Sequence, residues 1–153
     1  MNLDELDKRI LAMLVENARS PYSKIAREIG VAESTVLSRV RKMLEEGVII
    51  NFETRVNHKK LGYHIYAWIG LTTDPDKTME AAEKIAEDDR TLEVHVTSGP
   101  HRIVVSGFFK DFEDYSDFLN KRIYPLTGLR DFHESIVITT VKPSPKRKRK
   151  LVL

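Results

Sequence analysis

Cysteine is absent from this chain of 153 residues. Disulfide bonds, thiolate-ligated zinc or iron–sulfur sites and catalytic thiols are therefore excluded. No apolar run approaches the roughly 18 residues that a membrane-spanning helix needs, and residues 1–5 lack the features of a secretion signal. The five histidines show no metal-binding spacing such as His-x-His. We expect a cytoplasmic protein that binds neither a membrane nor a metal or cofactor.

A large excess of one charge sign is also missing, because 25 Lys and Arg stand against 23 Asp and Glu. The distribution along the chain is uneven. Residues 1–60 carry a net charge of +2, residues 61–141 carry −6, and residues 142–153 carry +6. The net positive charge of the two terminal segments is compatible with a polyanionic partner. The acidic middle segment is better suited to self-association or to sensing a ligand. The basic run 146–150 is either a solvated end or an arm on DNA phosphates.

The first fifty residues carry apolar side chains at helical spacing. A first helix is predicted over Glu5–Glu16 with Asp4 as its N-cap. A second helix is predicted with Ser20 as its cap and Pro21 as its first residue, where a missing N–H costs nothing. Gly30 ends this second helix.

A third helix, residues 33–46, follows after only two residues and ends at Gly47. Two helices joined by a short turn that contains glycine form a helix-turn-helix. The β-branched segment 48–56 predicts a strand that can form a wing against DNA. Residues 1–50 are therefore predicted to be a winged-helix-like DNA-binding domain, and residues 51–61 a strand and hinge.

Beyond the hinge, strand and helix patterns alternate. Strands are predicted over residues 63–73, 92–97, 103–109 and 132–141, with helices that begin after Asp74 and Asp111. The inward face of the first of these helices is predicted to hold Met79, Ala82, Ile85 and Ala86. The order βαββαβ predicts a ferredoxin-like domain over residues 62–142, followed by a basic tail, residues 143–153. The fold class of the whole chain is α+β.

The third helix divides into two faces on a helical wheel. Its inner face holds the apolar residues Val36, Leu37, Val40, Met43 and Leu44. Its outer face consists of Ser34, Thr35, Ser38 and Lys42, bordered by Arg39 and Arg41. Short hydroxyls can approach base edges, and long cations can reach phosphates or guanine.

We expect DNA contacts from the outer face of the third helix and from both arginines that border it. Arg19, Lys24 and Arg27, on or beside the preceding helix, are expected phosphate contacts. A polar face that is merely solvated would give the same pattern on a helical wheel. The pattern alone therefore does not distinguish the two roles, and the helix-turn-helix context is what favours DNA binding.

The first strand of the second half, residues 63–71, has apolar or aromatic residues on both of its faces. A ferredoxin-like sheet leaves one face free of helices, and we expect a second copy of the chain to cover that face. A dimer would also present two recognition helices to adjacent half-sites.

Several segments together resemble the Lrp/AsnC family, the leucine-responsive and asparagine-related transcription regulators of bacteria and archaea. The resemblance runs from residue 3 to about residue 142. It is carried by LDELDKRIL (3–11), IAREIGV (25–31), STV and RV (34–36, 39–40), GVI (47–49), VTSG (96–99) and IVITTVK (136–142).

The resemblance implies a sequence-specific regulator that binds double-stranded DNA and is not an enzyme. It implies homodimers formed through the C-terminal domain that assemble into tetramers, octamers or larger forms. It further implies a small-molecule effector, typically an amino acid, that binds between dimers near the central turn. The residues of that turn are Ser98, Gly99, Pro100, His101 and Arg102.

Two positions depart from the family pattern. Ala32 stands where a serine usually caps the recognition helix, a loss of typically ~1 kcal/mol. Arg102 stands where an aspartate is common in the central turn. Because this exchange reverses the local charge, we expect the effector to be acidic or absent.

Three alternatives remain at this point. Sirohaem decarboxylases share the two-domain layout, and His95 and His101 flank the turn, but the expected His-Asn-Tyr and Tyr-Asn-x-Trp patterns are missing. Sheet aromatics could stack on RNA bases, although the basic strand motif of RNA-binding domains is absent. A ligand sensor without DNA binding would show no duplex binding at low salt.

Overall fold

The computed structural model describes residues 2–141, which form two compact units. The first unit, here called the head, comprises the chain up to Arg55, and the second is Val56–Thr140. The basic run 146–150 lies outside the described residues. Within the described part of the chain, no helix is long and apolar enough to cross a membrane.

The head contains three helices, namely α1 (Glu5–Glu16), α2 (Tyr22–Ile29) and α3 (Glu33–Glu45). The predicted cap of α1 is confirmed. The Asp4 carboxylate accepts a hydrogen bond from the Asp7 N–H at 2.8 Å, and the Asp7 carboxylate accepts one from the Asp4 N–H at 3.1 Å. This reciprocal arrangement is a capping box, which satisfies two N–H groups that the helix leaves unpaired.

The start of α2 differs from the prediction. Pro21 is the N-cap rather than the first helical residue, and no side chain caps the helix, so the capping role predicted for Ser20 is wrong. The Pro21 carbonyl accepts the first helical hydrogen bonds, from Lys24 at 3.0 Å and Ile25 at 3.1 Å, while its own ψ of 137° is extended. Gly30 ends α2 at φ 85°, as predicted.

The core of the head is formed by apolar residues of all three helices and of the segment after α3. Its buried members are Ile10, Leu14, Ile25, Ala26, Val36, Val40, Met43 and Ile49. Leu37 and Leu44 were predicted to lie on the inner face of α3 but are exposed. Three short helices enclose only a narrow stripe of α3, and these two leucines lie at its edge.

The strand predicted over residues 48–56 is wrong, since the structure has no strand there. A strand needs a neighbour for its backbone hydrogen bonds, and in the described residues every paired strand belongs to one sheet of the second unit. Ile50 is 88% exposed. The linker instead ends in a 3₁₀ turn, His58–Leu61, where the Asn57 side chain accepts a hydrogen bond from the Lys60 N–H.

The second unit is a four-stranded antiparallel sheet with two helices, which confirms the ferredoxin-like prediction. The strands are β1 (Ile65–Thr73), β2 (Thr91–Val96), β3 (Ile103–Phe109) and β4 (Leu129–Ile136), in the order β2-β3-β1-β4. The helices are α4 (Thr78–Ala86) and α5 (Phe112–Phe118), and α5 continues as a π-helical turn, Leu119–Ile123.

The last strand ends earlier than the predicted residue 141. Ile136 pairs with Ala67, and the Val137 N–H still reaches the Tyr66 carbonyl at 2.8 Å. Because β1 begins at Ile65, the chain beyond Val137 has run past the end of its partner strand.

The inward face of α4 is also displaced from the prediction. Thr78, Ala81, Ala82 and Ile85 are buried, whereas Met79 is 59% exposed and Ala86 is exposed. Residues three and four apart lie on one face of a helix, so Thr78 and Ala81 share the buried face with Ile85, while Met79 and Ala86 fall to one side of it. The Thr78 hydroxyl is anchored inward by Thr73 at 2.9 Å.

Arg90 links the start of β2 to α5 through carboxylates. Its guanidinium donates to Asp88 at 2.8 Å, to Asp114 at 3.0 Å and to Asp117 at 3.1 Å, and it lies over the Phe118 ring. Hydrogen bonds from Arg90 hold the pKa of the buried Asp88 carboxyl well below its usual range. The second unit therefore gains stability from ionised Asp88.

Acid should remove this contribution. A depressed carboxyl pKa stabilises the fold above the unfolded-state pKa near 4, and the contribution is lost as the pH falls below it. We expect Arg90→Met to lower the free energy of unfolding by about 2 kcal/mol at neutral pH, and by roughly half as much at about pH 2.5, where the contribution of Asp88 is only partly lost. Urea titration followed by Trp68 fluorescence measures both values.

Arg130→Met is the matched control. Arg130 also binds a carboxylate, that of Asp74, but its side chain is mostly exposed, so a loss below about 1 kcal/mol is expected. An equal effect of Arg90→Met at both pH values would contradict the assigned role of Asp88.

Candidate DNA interface and effector turn

The outer face of α3 is directed away from the core of the head. Ser34, Ser38 and Lys42 are exposed, and Thr35 is half-buried. The neighbouring Arg41 is also exposed, and within residues 2–141 neither Arg41 nor Lys42 forms an ion pair. This surface therefore combines short hydroxyls with unneutralised cations, the combination that direct readout of duplex DNA uses.

The cations of the preceding segment are exposed as well. Arg19 follows α1, and its N–H donates to the Asn17 side chain at 3.0 Å. Lys24 and Arg27 project from α2, where Lys24 lies 3.8 Å from Glu28 in an exposed pair that is worth little. All three side chains are free to reach a phosphate backbone.

The N-terminus of α3 lacks a side-chain cap. Ala32 occupies the N-cap position and offers no acceptor to the first turn. Its carbonyl accepts from the N–H of Thr35 at 3.0 Å and of Val36 at 3.3 Å. The departure from the family pattern noted in the sequence therefore has the expected structural consequence.

Arg39 differs from the other cations of α3. Its Nη1 atom lies 2.5 Å from the Asp4 carboxylate and 3.2 Å from both carboxylate oxygens of Asp7. A backbone hydrogen bond from Asp7 and the Arg39 guanidinium lower the pKa of Asp4, and the Asp4 hydrogen bond and the Asp7 charge raise the pKa of Arg39. The helical wheel placed Arg39 at the border of the outer face of α3. It could not show that Arg39 binds Asp4 and Asp7, which lie more than thirty positions earlier in the sequence.

The turn between β2 and β3 is closed by its own hydrogen bonds. The Thr97 N–H donates to the Arg102 carbonyl at 2.9 Å, and the Thr97 hydroxyl donates to the His101 carbonyl. The Thr72 hydroxyl of β1 donates to the Pro100 carbonyl at 3.4 Å. The turn is thus attached to the neighbouring strand.

The His101 side chain lies against the sheet at Gly70. A Cβ atom at Gly70 would approach the His101 ring to 2.6 Å, so the ring occupies space that only glycine leaves free. His133, opposite Gly70 on β4, has its ring centroid 5.2 Å from that of His101. Sequence reasoning missed both neighbours, although a glycine between large strand residues does indicate a close approach.

The remaining turn residues are accessible. Ser98, Gly99, Pro100 and Arg102 are all exposed. Arg102 forms no ion pair in the part of the chain that the structure describes. The turn therefore carries a positive charge without a neutralising carboxylate.

Aromatic side chains cover the sheet surface opposite the helices, here called the open face. Phe108 stacks on Tyr66 with ring centroids 4.4 Å apart, and Tyr66 contacts Trp68 edge to face at 6.1 Å. His58 of the linker stacks on the other side of Phe108 at 3.9 Å. Trp68 remains 36% exposed, so the layer is not closed to solvent.

These features define a class of protein. A helix-turn-helix with an exposed cationic surface, joined to a ferredoxin-like domain with an accessible turn and an aromatic face, is the layout of a two-domain DNA-binding regulator.

Comparison with known families assigns both halves of the chain. Residues 3–44 match the AsnC-type helix-turn-helix domain, and residues 66–147 match the Lrp/AsnC ligand binding domain. The chain is 36% identical over 144 residues to the HTH-type transcriptional regulator Ptr1 of Methanocaldococcus jannaschii, covering 94% of this chain and 97% of that protein. The chain belongs to the Lrp/AsnC family of transcriptional regulators.

Solved structures show the same fold. Escherichia coli AsnC superimposes with a TM-score of 0.84 at 27% identity, over 92% of this chain and 95% of that one. The regulator NMB0573 of Neisseria meningitidis, solved as an L-Met complex, gives 0.83 at 20% identity, over 92% and 93%. The chain is a DNA-binding transcriptional regulator with a ligand-binding domain, and the decarboxylase alternative is rejected.

Proposed function

We propose that this protein controls transcription by binding specific duplex sequences as a homo-oligomer, under the influence of a small anionic effector. The observation that carries the proposal is the outer face of α3, where exposed hydroxyls adjoin cations that have no partner within residues 2–141.

The DNA contacts divide by side-chain length. Ser34, Thr35 and Ser38 are short, so they reach base edges only when the helix enters the major groove. The longer Arg41 and Lys42, together with Arg19, Lys24 and Arg27, suit phosphates. Arg39 is left out of this set because its guanidinium is bound to carboxylates.

Two substitutions separate the two kinds of contact. Ser38→Ala should change relative affinities among related duplexes, since a good base contact is worth about 1–3 kcal/mol of discrimination. Lys42→Gln should weaken binding to all duplexes and reduce the slope of log affinity against log salt by about 1. Affinities for duplexes selected from random sequence by the full-length protein provide the measurement.

Lys84→Gln on α4 is the control for charge, because it removes one exposed lysine from the second unit and should leave the slope unchanged. Absence of duplex binding by the wild-type protein at low salt would overturn the proposal and favour a pure ligand sensor.

Self-association through the open face follows from its composition. Tyr66, Trp68 and Phe108 form a layer of rings on a sheet whose other face is already covered by helices. Such a surface is typical of an interface between subunits. The family likeness supports dimers that assemble further, and a dimer aligns two recognition helices.

A charge within the layer should disrupt the dimer. Trp68→Glu would place a carboxylate in an apolar contact, and we expect the dimerisation constant to weaken by at least about tenfold. Sedimentation velocity measures the change. Met79→Glu introduces the same group at an exposed apolar residue of α4 and should have little effect; equal effects of both variants would contradict an interface on the open face.

An anionic effector fits the turn. Arg102 has no carboxylate partner in the described residues, and the adjacent His101 ring lies beside His133. The relative from Neisseria meningitidis, solved as an L-Met complex, supports a small amino-acid-like ligand for this domain. The positive turn favours a ligand with an additional carboxylate.

Calorimetric titration with the common amino acids tests this specificity. We expect glutamate or aspartate to bind more tightly than neutral amino acids, and Arg102→Gln to weaken that binding by roughly tenfold or more. Arg9→Gln, on an exposed residue of α1, should leave it unchanged. Tight binding of a neutral amino acid that persists in Arg102→Gln would exclude a role for Arg102 in selecting the ligand.

A further inference from the structure

Arg39 lies in the middle of α3, directly after Ser38, yet its guanidinium is paired with carboxylates of the head itself. The guanidinium binds the capping box of α1 through both Asp4 and Asp7. Two of its features are unlike those of the neighbouring Arg41 and Lys42: it has carboxylate partners, and its side chain is only one-third exposed.

We propose that Arg39 is a positioning residue, which fixes the orientation of the recognition helix against α1 and does not itself contact DNA. The effect on DNA rests on the proposed reading role of α3, whereas the effect on the stability of the head does not.

The buried member of the cluster is Asp7. Its side chain is 1% exposed, and both of its carboxylate oxygens face Arg39 at 3.2 Å. The Asp7 carboxylate also accepts a hydrogen bond from the Asp4 N–H, at the start of its own helix. A buried carboxylate that loses its cation is strongly destabilising, so Arg39 is held in place by the cost of leaving Asp7 unpaired.

The ion pair also restricts the orientation of α3 relative to α1, which apolar packing alone would leave variable. Ile10 of α1 meets Val36 and Val40 of α3 within one core, and apolar contacts of this kind tolerate small rotations. The charge-assisted bonds to Asp4 and Asp7 are directional, and they hold α3 at the residue next to Ser38.

Orientation matters most for the short side chains. Hydrogen bonds from Ser34 or Ser38 to a base edge require donor–acceptor distances of about 2.7–3.2 Å, which a small rotation of α3 would exceed. The flexible Arg41 and Lys42 side chains can follow a displaced phosphate. Loss of the bonds from Arg39 to Asp4 and Asp7 should therefore reduce the discrimination between duplex sequences, while the number of phosphate contacts stays unchanged.

Arg39→Gln in the full-length protein tests the role. We expect affinity for a selected duplex to fall about tenfold with an unchanged salt slope, because no phosphate contact is removed. The urea midpoint of the helical circular dichroism signal should fall by about 1 M. The urea midpoint measured by Trp68 fluorescence should not change, because the single tryptophan of the chain lies in the second unit.

The double variant Arg39→Gln/Asp7→Asn provides the decisive comparison. It replaces the buried ion pair with two amides that can hydrogen-bond each other. The urea midpoint should return to the wild-type value, and the discrimination between duplexes should return to within about threefold of the wild-type ratio. A direct DNA contact by Arg39 would not be restored by a change at Asp7. Arg39→Lys, which keeps one charged donor, should retain most of the stability and serves if Arg39→Gln does not fold.

Arg41→Gln is the matched control on the same helix. It should reduce the salt slope by about 1, leave the urea midpoint unchanged and gain nothing from Asp7→Asn. A slope reduced by about 1 in Arg39→Gln, without rescue in the double variant, would overturn the positioning role. If Arg41→Gln and Ser38→Ala both leave DNA binding unchanged, the proposed reading role of α3 fails instead.

Discussion

Burial of the Asp7 carboxylate is the constraint on which the head depends. A charge removed from water must be paired, and Asp7 is paired by the start of its own helix and by Arg39 of α3. One cluster of side chains therefore both caps α1 and joins it to α3, the proposed recognition helix. Apolar contacts such as those of the core tolerate small rotations, and in the proposed role of Arg39 the ion pair selects one orientation of α3.

The second unit uses charge differently. Arg90 gathers Asp88, Asp114 and Asp117 on the helical side of the sheet, so several of its acidic residues are engaged internally. The open face instead carries the aromatic layer of Tyr66, Trp68 and Phe108. Arg41 and Lys42 of α3 have no ion-pair partner within residues 2–141, so the proposed DNA surface is locally positive although the chain as a whole is almost neutral.

Features set by neighbouring residues could be predicted from the sequence. Helical spacing, the Asp4 cap and the stop at Gly30 are local, and the alternation of strands and helices defined the ferredoxin-like domain. Features set by distant partners could not. The segment 48–56 has strand composition but no partner strand in the described residues, and the pairing of Arg39 with Asp7 joins residues 32 positions apart. The DNA-binding residues were predicted as a set of side chains, without the contact that joins Arg39 to Asp4 and Asp7.

Gly70 connects the turn to the open face. It lies on the same side of β1 as Trp68, two residues away, which corresponds to roughly 7 Å along a strand. The His101 ring occupies the space above Gly70, and the Thr72 hydroxyl holds the turn from the next position on that face. A ligand that displaced His101 would therefore change the surface beside the aromatic layer. In the proposed scheme, effector binding and self-association involve adjacent parts of one surface, so each can alter the free energy of the other through direct contact, without a change of fold.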